Sequence, residues 1–171
     1  DNVEIRIDNP DENGIGEVIA KGDNIMHGYY DNEEATAAVL RDGWFHTGDL
    51  GYIDKSGYLF LSGRKKNVIV LKNGKNVFPE ELETEISTLP YQMENIVVGL
   101  PKNGDDRDLV VALKIVYDPE QFAGMSKEEI EKRIHEDVEK INDRMPLYKR
   151  IKRIFVTDEP MIKTSTSKVR R

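Results

Sequence analysis

The strongest constraint on the fold is a change in sequence pattern at Gly63. Before this residue, short apolar runs such as Gly16–Gly22 lie between dense turn signals, and one short helix is predicted after Asn32. Short strands with a single short helix bury little apolar surface. We therefore interpret residues 1–62 as the β-rich edge of a larger domain.

After Gly63, the sequence predicts two longer helices. Pro79 stands where the first residue of a helix is expected, and acidic residues follow it in the first turn. Ser126 and Glu129 form a capping box, behind which apolar residues recur at helical spacing: Ile130, Ile134, Val138 and Ile141. These signals predict an amphipathic helix that packs on a neighbouring layer.

Strand patterns alternate with these helices over about 100 residues. Segments 94–100 and 109–117 are predicted strands joined by an exposed turn at 102–108, and a last strand is predicted at 150–157. The order of helices and strands lacks the regularity of βαβ units. We predict a compact α+β domain over residues 67–171, joined to the first part by residues 63–66.

Composition excludes several classes of protein. The 171 residues contain no run of about 18 apolar residues, as a membrane-spanning helix needs. They contain no cysteine, which excludes disulfides and Cys-ligated metals and suits a reducing compartment, so we expect a cytoplasmic protein. The absence of an initial Met and of an apolar leader indicates that the chain begins within a longer one.

Charge is unevenly distributed along the chain. The formal net charge is −7, but residues 144–171 hold nine Lys or Arg and only two acidic residues. Such a basic tail suggests an anionic partner, for example a nucleotide phosphate, a nucleic acid or an acidic neighbour. A solvated tail without a partner is the alternative.

Asp49 is the first candidate for a binding residue. It ends the sequence Thr47-Gly48-Asp49, and a carboxylate on such a tight turn can accept hydrogen bonds from two adjacent hydroxyl groups, as a ribose offers. Turn stabilisation is the simpler interpretation of this motif alone. The three histidines, His27, His46 and His135, lack the spacing of metal ligands, so we predict no metal site.

Three further segments could carry function. Gly63-Arg64-Lys65-Lys66 could bind phosphate or act as a hinge, or it could be a charged linker. Asn73-Gly74 predicts a hairpin between two short strands. Lys168 lies on a Ser/Thr-rich segment and could place an ammonium group against developing negative charge, although a disordered basic terminus is the alternative.

In this order, the segments resemble the C-terminal part of the adenylate-forming acyl-CoA synthetase superfamily. Residues 16–29 resemble the segment before the nucleotide loop, residues 44–50 the ribose-binding loop, and residues 63–83 the hinge and hairpin. Residues 161–171 resemble the Pro-Lys-Thr-Ser-Thr-Gly-Lys loop. The two lysines that follow Gly63-Arg64 are most like those of long-chain fatty acid–CoA ligases.

The resemblance implies a fold, a reaction and its cofactors. The fold is a small α+β C-terminal lid domain that follows a β-rich remnant of a large N-terminal domain. A carboxylate, such as a fatty acid, attacks the α-phosphate of ATP, and the thiol of coenzyme A then displaces AMP. A magnesium ligand, the phosphate-binding loop and the acyl pocket are expected upstream of Asp1, so we predict that this chain alone is inactive.

The resemblance also implies a role for each candidate residue. Asp49 and Arg64 would bind the ribose, and Lys168 would offset the negative charge that builds on the reacting oxygens. Lys66 would be the pivot about which the lid domain turns between the two half-reactions. Gly74 would lie on the loop that approaches the pantetheine channel of coenzyme A.

The chain departs from the family pattern near Lys168, and other functions remain open. Ser167 stands where the family has glycine, and Ile162 stands where it has proline. An adenylate-forming enzyme with a carrier-protein thiol as acceptor is one alternative. A non-catalytic module whose basic tail grips nucleic acid is another, but the net negative charge outside the tail argues against a nucleic-acid partner.

Overall fold

The computed structural model describes residues 2–163. The chain divides into two compact units between Lys66 and Asn67, at the end of the predicted 63–66 hinge. The first two residues of the predicted hinge belong to the first unit, because Gly63 and Arg64 still pair with residues of a neighbouring strand. The backbone leaves the first unit through a single 3-10 turn, Lys65–Asn67.

Within the described part of the chain, the first unit is an antiparallel five-stranded sheet with a short helix. Its strands have the order β1-β2-β4-β3, and β5 pairs with β4. The elements are β1 (Val3–Asp8), β2 (Gly16–Gly22), α1 (Glu33–Val39), β3 (Leu40–Arg41), β4 (Trp44–Ile53) and β5 (Leu59–Arg64). This arrangement agrees with the predicted β-rich character.

Helix α1 begins where the sequence predicts. The Asn32 side chain accepts a hydrogen bond from the backbone N–H of Ala35 (2.9 Å), which satisfies one of the free donors of the first turn. Glu33 and Glu34 add negative charge at the positive end of the helix.

The first unit buries few large apolar side chains. Of its described residues, Val18 and Ile19 are the buried apolar ones. Ten large apolar side chains are exposed: Val3, Ile5, Tyr29, Tyr30, Tyr52, Ile53, Tyr58, Leu59, Phe60 and Leu61. Tyr52 and Phe60 stack on the exposed face of β4 and β5 with ring centroids 5.1 Å apart. The unit therefore has little core of its own, as the sequence suggests.

The second unit is an α+β domain. Its elements in the described region are β6 (Ile69–Val70), β7 (Asn76–Val77), α2 (Pro79–Ile86), β8 (Gln92–Lys102), β9 (Asp105–Tyr117), α3 (Lys127–Asp143) and β10 (Arg153–Thr157). Strands β8 and β9 are antiparallel, β10 is parallel to β9, and β6 and β7 form a separate hairpin. This architecture confirms the predicted α+β class.

One contiguous core holds the second unit together. Strand β8 contributes Val97 and strand β9 contributes Leu113, and these two residues are Cα partners across the ladder. Both helices cover the same core with side chains that are entirely buried: Leu82, Ile86, Ile134 and Val138. Each such side chain contributes about 1.5–3 kcal/mol by its removal from water. The predicted apolar face of α3 is thus its buried face.

Two boundaries differ from the sequence prediction. The predicted seven-residue turn at 102–108 is wrong, because β8 and β9 continue to a two-residue turn at Asn103-Gly104. Both residues have positive φ (53° and 80°), as the tight turns that match strand twist require. Strand β10 begins at Arg153 because Leu147–Lys149 forms a 3-10 turn before it. None of the helices found within residues 2–163 is long and apolar enough to cross a membrane.

Candidate functional site

Asp49 and Arg64 face each other across two neighbouring strands. Strands β4 and β5 are antiparallel, and their register makes Asp49 and Arg64 Cα partners. Arg64 Nη1 donates to Asp49 Oδ1 at 2.6 Å and to the carbonyl oxygen of Thr47 at 3.3 Å. The structure therefore brings together the two residues for which the family resemblance implies ribose binding.

Hydrogen bonds of the Thr47 side chain hold the backbone around Asp49 in place. Gly48 has φ 72°, a conformation that favours glycine, and no atom lies within 4 Å of the position that a Cβ would take. Thr47 Oγ1 donates to the carbonyl of Val18 (2.7 Å) and accepts from the N–H of Asp49 (3.0 Å). These bonds fix the backbone at Asp49, and the Arg64 bond orients its carboxylate, whose two oxygens offer about four acceptor positions.

Glu17 is a buried carboxylate that the sequence analysis did not single out. Its side chain is 7% exposed and lies on β2, which pairs with β4. The tight turn predicted at Thr47-Gly48-Asp49 is wrong: these residues lie within strand β4, at an irregularity of its pairing with β2. It accepts hydrogen bonds from Lys65 Nζ (3.0 Å) and the backbone N–H of Gly48 (3.1 Å), and its Oε2 lies 3.3 Å from His46 Nδ1. The signal that could have revealed it is a charged residue within the apolar run Gly16–Gly22.

The contacts of Glu17 keep its carboxylate ionised. Burial by itself raises the pKa of Glu17, but hydrogen bonds from Lys65, His46 and the Gly48 amide outweigh burial and leave the pKa below its ordinary value. The ionised carboxylate links β2, strand β4 at Gly48 and Lys65 at the end of the first unit. Glu17 thus supports the geometry of the Asp49–Arg64 pair.

Asp8, Glu17 and His46 also have the donor atoms of a metal site. One ligand atom from each lies within 4.8 Å of the others. The Lys65 ammonium group, however, contacts the same Glu17 oxygen that faces His46, and its positive charge opposes a metal ion there. Glu17 and His46 are instead held in one hydrogen-bonded contact with Lys65, and the absence of a metal at the histidines stays a prediction.

Lys66 lies at the boundary between the two units, and Gly74 lies in the turn of a short hairpin. Lys66 is exposed and is the last residue before the boundary between the units. Gly74 has φ 77° in the turn between β6 and β7, where no atom lies within 4 Å of its Cβ position. The ammonium group of Lys75 lies over the Tyr148 ring, 4.5 Å from its centroid. This contact holds the turn against the rest of the second unit.

Lys168 lies outside the described residues, but the segment that leads to it is described as far as Lys163. The Met161 N–H donates to Glu94 Oε2 at 2.8 Å, and Lys163 Nζ lies 2.5 Å from Glu94 Oε1. The polar pattern of this segment did not indicate these contacts. The part of the tail before residue 164 is therefore bound to strand β8.

Comparisons with known proteins show the family of this chain. The AMP-binding enzyme C-terminal domain family matches residues 66–171. The chain is 43% identical over 109 residues to the long-chain-fatty-acid–CoA ligase FadD15 of Mycobacterium tuberculosis, which covers 64% of this chain and 17% of that protein. It is 45% identical over 84 residues to indoleacetate–CoA ligase of Aromatoleum aromaticum, which covers 49% of this chain and 16% of the relative.

The fold also matches a solved structure. O-succinylbenzoate coenzyme A synthetase from Bacillus subtilis, in complex with ATP and magnesium ion, superimposes with a TM-score of 0.76 at 28% identity. The match covers 98% of this chain and 33% of that chain. This chain thus spans between a sixth and a third of the proteins that it matches. From the family match, the chain belongs to the AMP-binding, adenylate-forming family of acyl-CoA ligases, and residues 66–171 are its C-terminal domain.

Proposed function

We propose that this chain is part of an ATP-dependent fatty acid–CoA ligase and that Asp49 and Arg64 bind the ribose of ATP. The observation that carries the proposal is the Asp49–Arg64 pair, with 2.6 Å between Arg64 Nη1 and Asp49 Oδ1. A ribose has two adjacent hydroxyl donors, and a fixed carboxylate is the acceptor that fits them. Arg64 holds this carboxylate in place and supplies further N–H donors.

In this proposal, Lys168 stabilises the transition state of the first half-reaction. Negative charge builds on the oxygens of the α-phosphate and of the attacking carboxylate. An ammonium group placed against these oxygens lowers the barrier more than it strengthens substrate binding, because the charge is greatest in the transition state. Loss of such a group lowers the rate by about 100- to 1000-fold.

The second half-reaction requires a different arrangement of the two units. Lys66 is the proposed pivot, since it is exposed and stands at the boundary between the units. Turning about it withdraws Lys168 and brings Gly74 towards the pantetheine arm of coenzyme A. Glycine at the tip of a hairpin permits a close approach of backbone to ligand.

The finer assignments are proposals as well. A fatty acid as the substrate is supported by the similarity to the long-chain-fatty-acid–CoA ligase over 109 residues. The lack of cysteine supports a cytoplasmic location. Magnesium, which would neutralise the phosphates of ATP, is expected to bind through residues upstream of Asp1. We propose accordingly that this chain alone releases no pyrophosphate from ATP and a carboxylate.

The ribose site is tested in the full-length enzyme with Asp49→Ala. We expect a KM for ATP at least about tenfold higher, because a charge-assisted pair of hydrogen bonds is lost, while the KM for the carboxylate stays unchanged. Glu12→Ala, which removes an exposed carboxylate of the same unit, is the control. An unchanged dependence of the rate on ATP in the Asp49 variant would remove this residue from the site.

The substrate class is tested by measuring the rate of the same enzyme with a panel of carboxylic acids and with different thiol acceptors. A fatty acid ligase forms thioesters faster with long-chain fatty acids than with aryl or short-chain acids, and it uses coenzyme A as the acceptor. Faster turnover of an aryl acid, or transfer to a carrier protein in place of coenzyme A, would refute the fatty acid–CoA assignment and leave the family membership intact.

The pivot is tested by Lys66→Pro, with Lys66→Ala as the control. Proline restricts the backbone φ at this position, whereas alanine leaves the backbone free and removes only the side chain. We expect Lys66→Pro to slow the overall reaction and leave adenylation near its normal rate. If both half-reactions of Lys66→Pro proceed normally, residue 66 is not the pivot.

The loop role of Gly74 has a matched control in Gly104. Both glycines stand at positive φ (77° and 80°) in hairpin turns, and neither has an atom within 4 Å of its Cβ position. Alanine at either position therefore costs a similar amount, about 1–2 kcal/mol of folding free energy. We expect only Gly74→Ala to slow thioester formation, and equal rates in the two variants would reduce Gly74 to a turn residue.

A further inference from the structure

Strand β4 bulges away from β2 at the residues that lead to Asp49. Three residues of β4, 47–49, lie opposite the single residue Val18 of β2, so the regular ladder between the two strands is interrupted there. Gly48 has φ 72°, the left-handed conformation in which glycine commonly forms such a bulge. The direction of Asp49 therefore depends on what holds the bulge in place.

Two side chains hold this bulge on β2. Thr47 Oγ1 donates to the carbonyl oxygen of Val18 at 2.7 Å. Glu17 Oε1 accepts the backbone N–H of Gly48 at 3.1 Å. Because the Glu17 side chain is only 7% exposed, water competes little for its hydrogen bonds. A hydroxyl group and a buried carboxylate thus take over the role of the interrupted ladder.

The second oxygen of Glu17 contacts the chain beside Arg64. Glu17 Oε2 accepts from Lys65 Nζ at 3.0 Å, and Lys65 directly follows Arg64. The first oxygen contacts Gly48, which directly precedes Asp49. One carboxylate is therefore bonded to a chain neighbour of each member of the Asp49–Arg64 pair.

We propose that Glu17 is a positioning residue for nucleotide recognition, because it holds the Asp49–Arg64 pair in the geometry that distinguishes a ribose with its hydroxyl groups from one without them. The inference rests on the proposed ribose site. In this account, Glu17 acts on the backbone of Gly48 and on the ammonium group of Lys65, not on the nucleotide itself. A binding group must be held within about 0.5 Å of its productive position, so loss of the support weakens recognition.

The experiment compares ATP with 2′,3′-dideoxy-ATP in the full-length enzyme, because the analogue lacks both hydroxyl groups that the pair would bind. The wild type should prefer ATP by at least about tenfold in kcat/KM. Glu17→Ala should raise the KM for ATP by about three- to tenfold and leave the KM for the analogue nearly unchanged, so the preference falls. A merely structural role would reduce the amount of active enzyme, which lowers both rates equally and leaves the preference unchanged.

Two further variants separate positioning from stability. Glu17→Gln keeps an acceptor for the Gly48 N–H but places an NH2 group against the Lys65 ammonium, so it should lose less of the preference than Glu17→Ala. Val18→Ala removes a buried side chain from the opposite face of β2, so it should lower stability and keep the preference of the wild type. If Glu17→Ala does not yield folded enzyme, Glu17→Gln carries the same comparison.

Amide hydrogen exchange gives a readout that does not depend on catalysis. Loss of the Glu17 carboxylate should speed exchange at the Gly48 amide, which is its hydrogen-bond donor. An unchanged preference for ATP in Glu17→Ala would overturn the inference, as would an equal loss of preference in Val18→Ala. If Asp49→Ala keeps the full preference, the proposed ribose site itself fails. If Asp49→Ala abolishes the preference while Glu17→Ala retains it, only the present inference fails.

Discussion

Asn142 is a polar residue on the buried face of α3, and its replacement tests how the second unit is closed. Its side chain is 1% exposed. Its Oδ1 accepts the N–H of Ile151 at 2.8 Å, and its Nδ2 donates to the carbonyl of Ile151 at 3.1 Å. Ile151 is itself 2% exposed and lies shortly before β10. The Asn142 side chain thus supplies hydrogen-bond partners for both the backbone N–H and the backbone carbonyl of Ile151.

Asn142→Ala removes both bonds to Ile151, together with the bond from Nδ2 to Glu139 Oε1 (3.2 Å), and it takes the side-chain partner from two buried backbone groups. A buried donor or acceptor that loses its partner costs about 1–3 kcal/mol, so two such groups cost about 2–6 kcal/mol of the free energy of unfolding. This is a large fraction of the total stability of an ordinary domain, about 5–15 kcal/mol. We therefore expect a clear decrease in the denaturation midpoint.

Asn142→Asp is the sharper variant, because it keeps the shape and replaces only the amide NH2 group with a carboxylate oxygen. The introduced carboxylate still accepts the Ile151 N–H but faces the Ile151 carbonyl without a donor. Burial raises the pKa of the introduced carboxyl, and its neutral form regains an O–H donor. The folded pKa then exceeds the unfolded one, so the deficit relative to the wild type is large at neutral pH and shrinks as the pH falls below the folded pKa.

The assay is denaturant unfolding followed by circular dichroism at 222 nm, since α2 and α3, both in the second unit, hold most of the helix in the described region. Asn73→Ala is the control: this exposed residue accepts one hydrogen bond, from the N–H of Lys75. We expect a change below about 1 kcal/mol for it. A loss below 1 kcal/mol for Asn142→Ala, or a deficit of Asn142→Asp that does not depend on pH, would refute the reasoning.

Two further predictions concern stability. Ile134 is fully buried on α3, so Ile134→Ala should lower the free energy of unfolding by about 2–5 kcal/mol and Ile134→Val by about 0.5–1.5 kcal/mol. The same denaturant assay measures both variants, and equal effects would contradict close packing at this position. Glu17→Gln should lower stability by about 1–3 kcal/mol at neutral pH, because hydrogen bonds to a charged group are lost. The folded pKa of Glu17 lies below its ordinary value of 4.5. The difference in stability between wild type and variant therefore persists above pH 4.5 and closes as the pH falls through the folded pKa. Trp44 fluorescence reports the unfolding of this unit.

The local signals of the sequence predicted most helices and turns. The cap at Asn32, the Pro79 start and the Ser126–Glu129 capping box act over at most four residues, so they can be recognised without the rest of the chain. The same holds for the Asn73-Gly74 turn. Asn103-Gly104 carried an equally local signal, and its tight turn could have been predicted as well.

The candidate site was predicted only in part. The motif around Asp49 and the cation at Arg64 identified two residues that the structure joins in one ion pair. Glu17 was missed as a separate feature because its partner Lys65 lies 48 residues along the chain. Glu94 was missed for the same reason, since Met161 is 67 residues away. The assignment of Lys168 stays a prediction, because this residue lies outside the described part of the chain.

By itself, the sequence predicted the three helices, most of the strands outside β3 and β4, the α+β class and the ordered motifs of the family. Hydrophobic periodicity and caps are properties of neighbouring residues, and the chemistry that a motif can perform depends on which side chains it contains. The tertiary structure alone decided which distant groups meet: Arg64 with Asp49, and Asn142 with Ile151. Such pairs depend on strand register and on the packing of a whole unit. A shift of the register by one residue would turn each side chain of the strand to the opposite face.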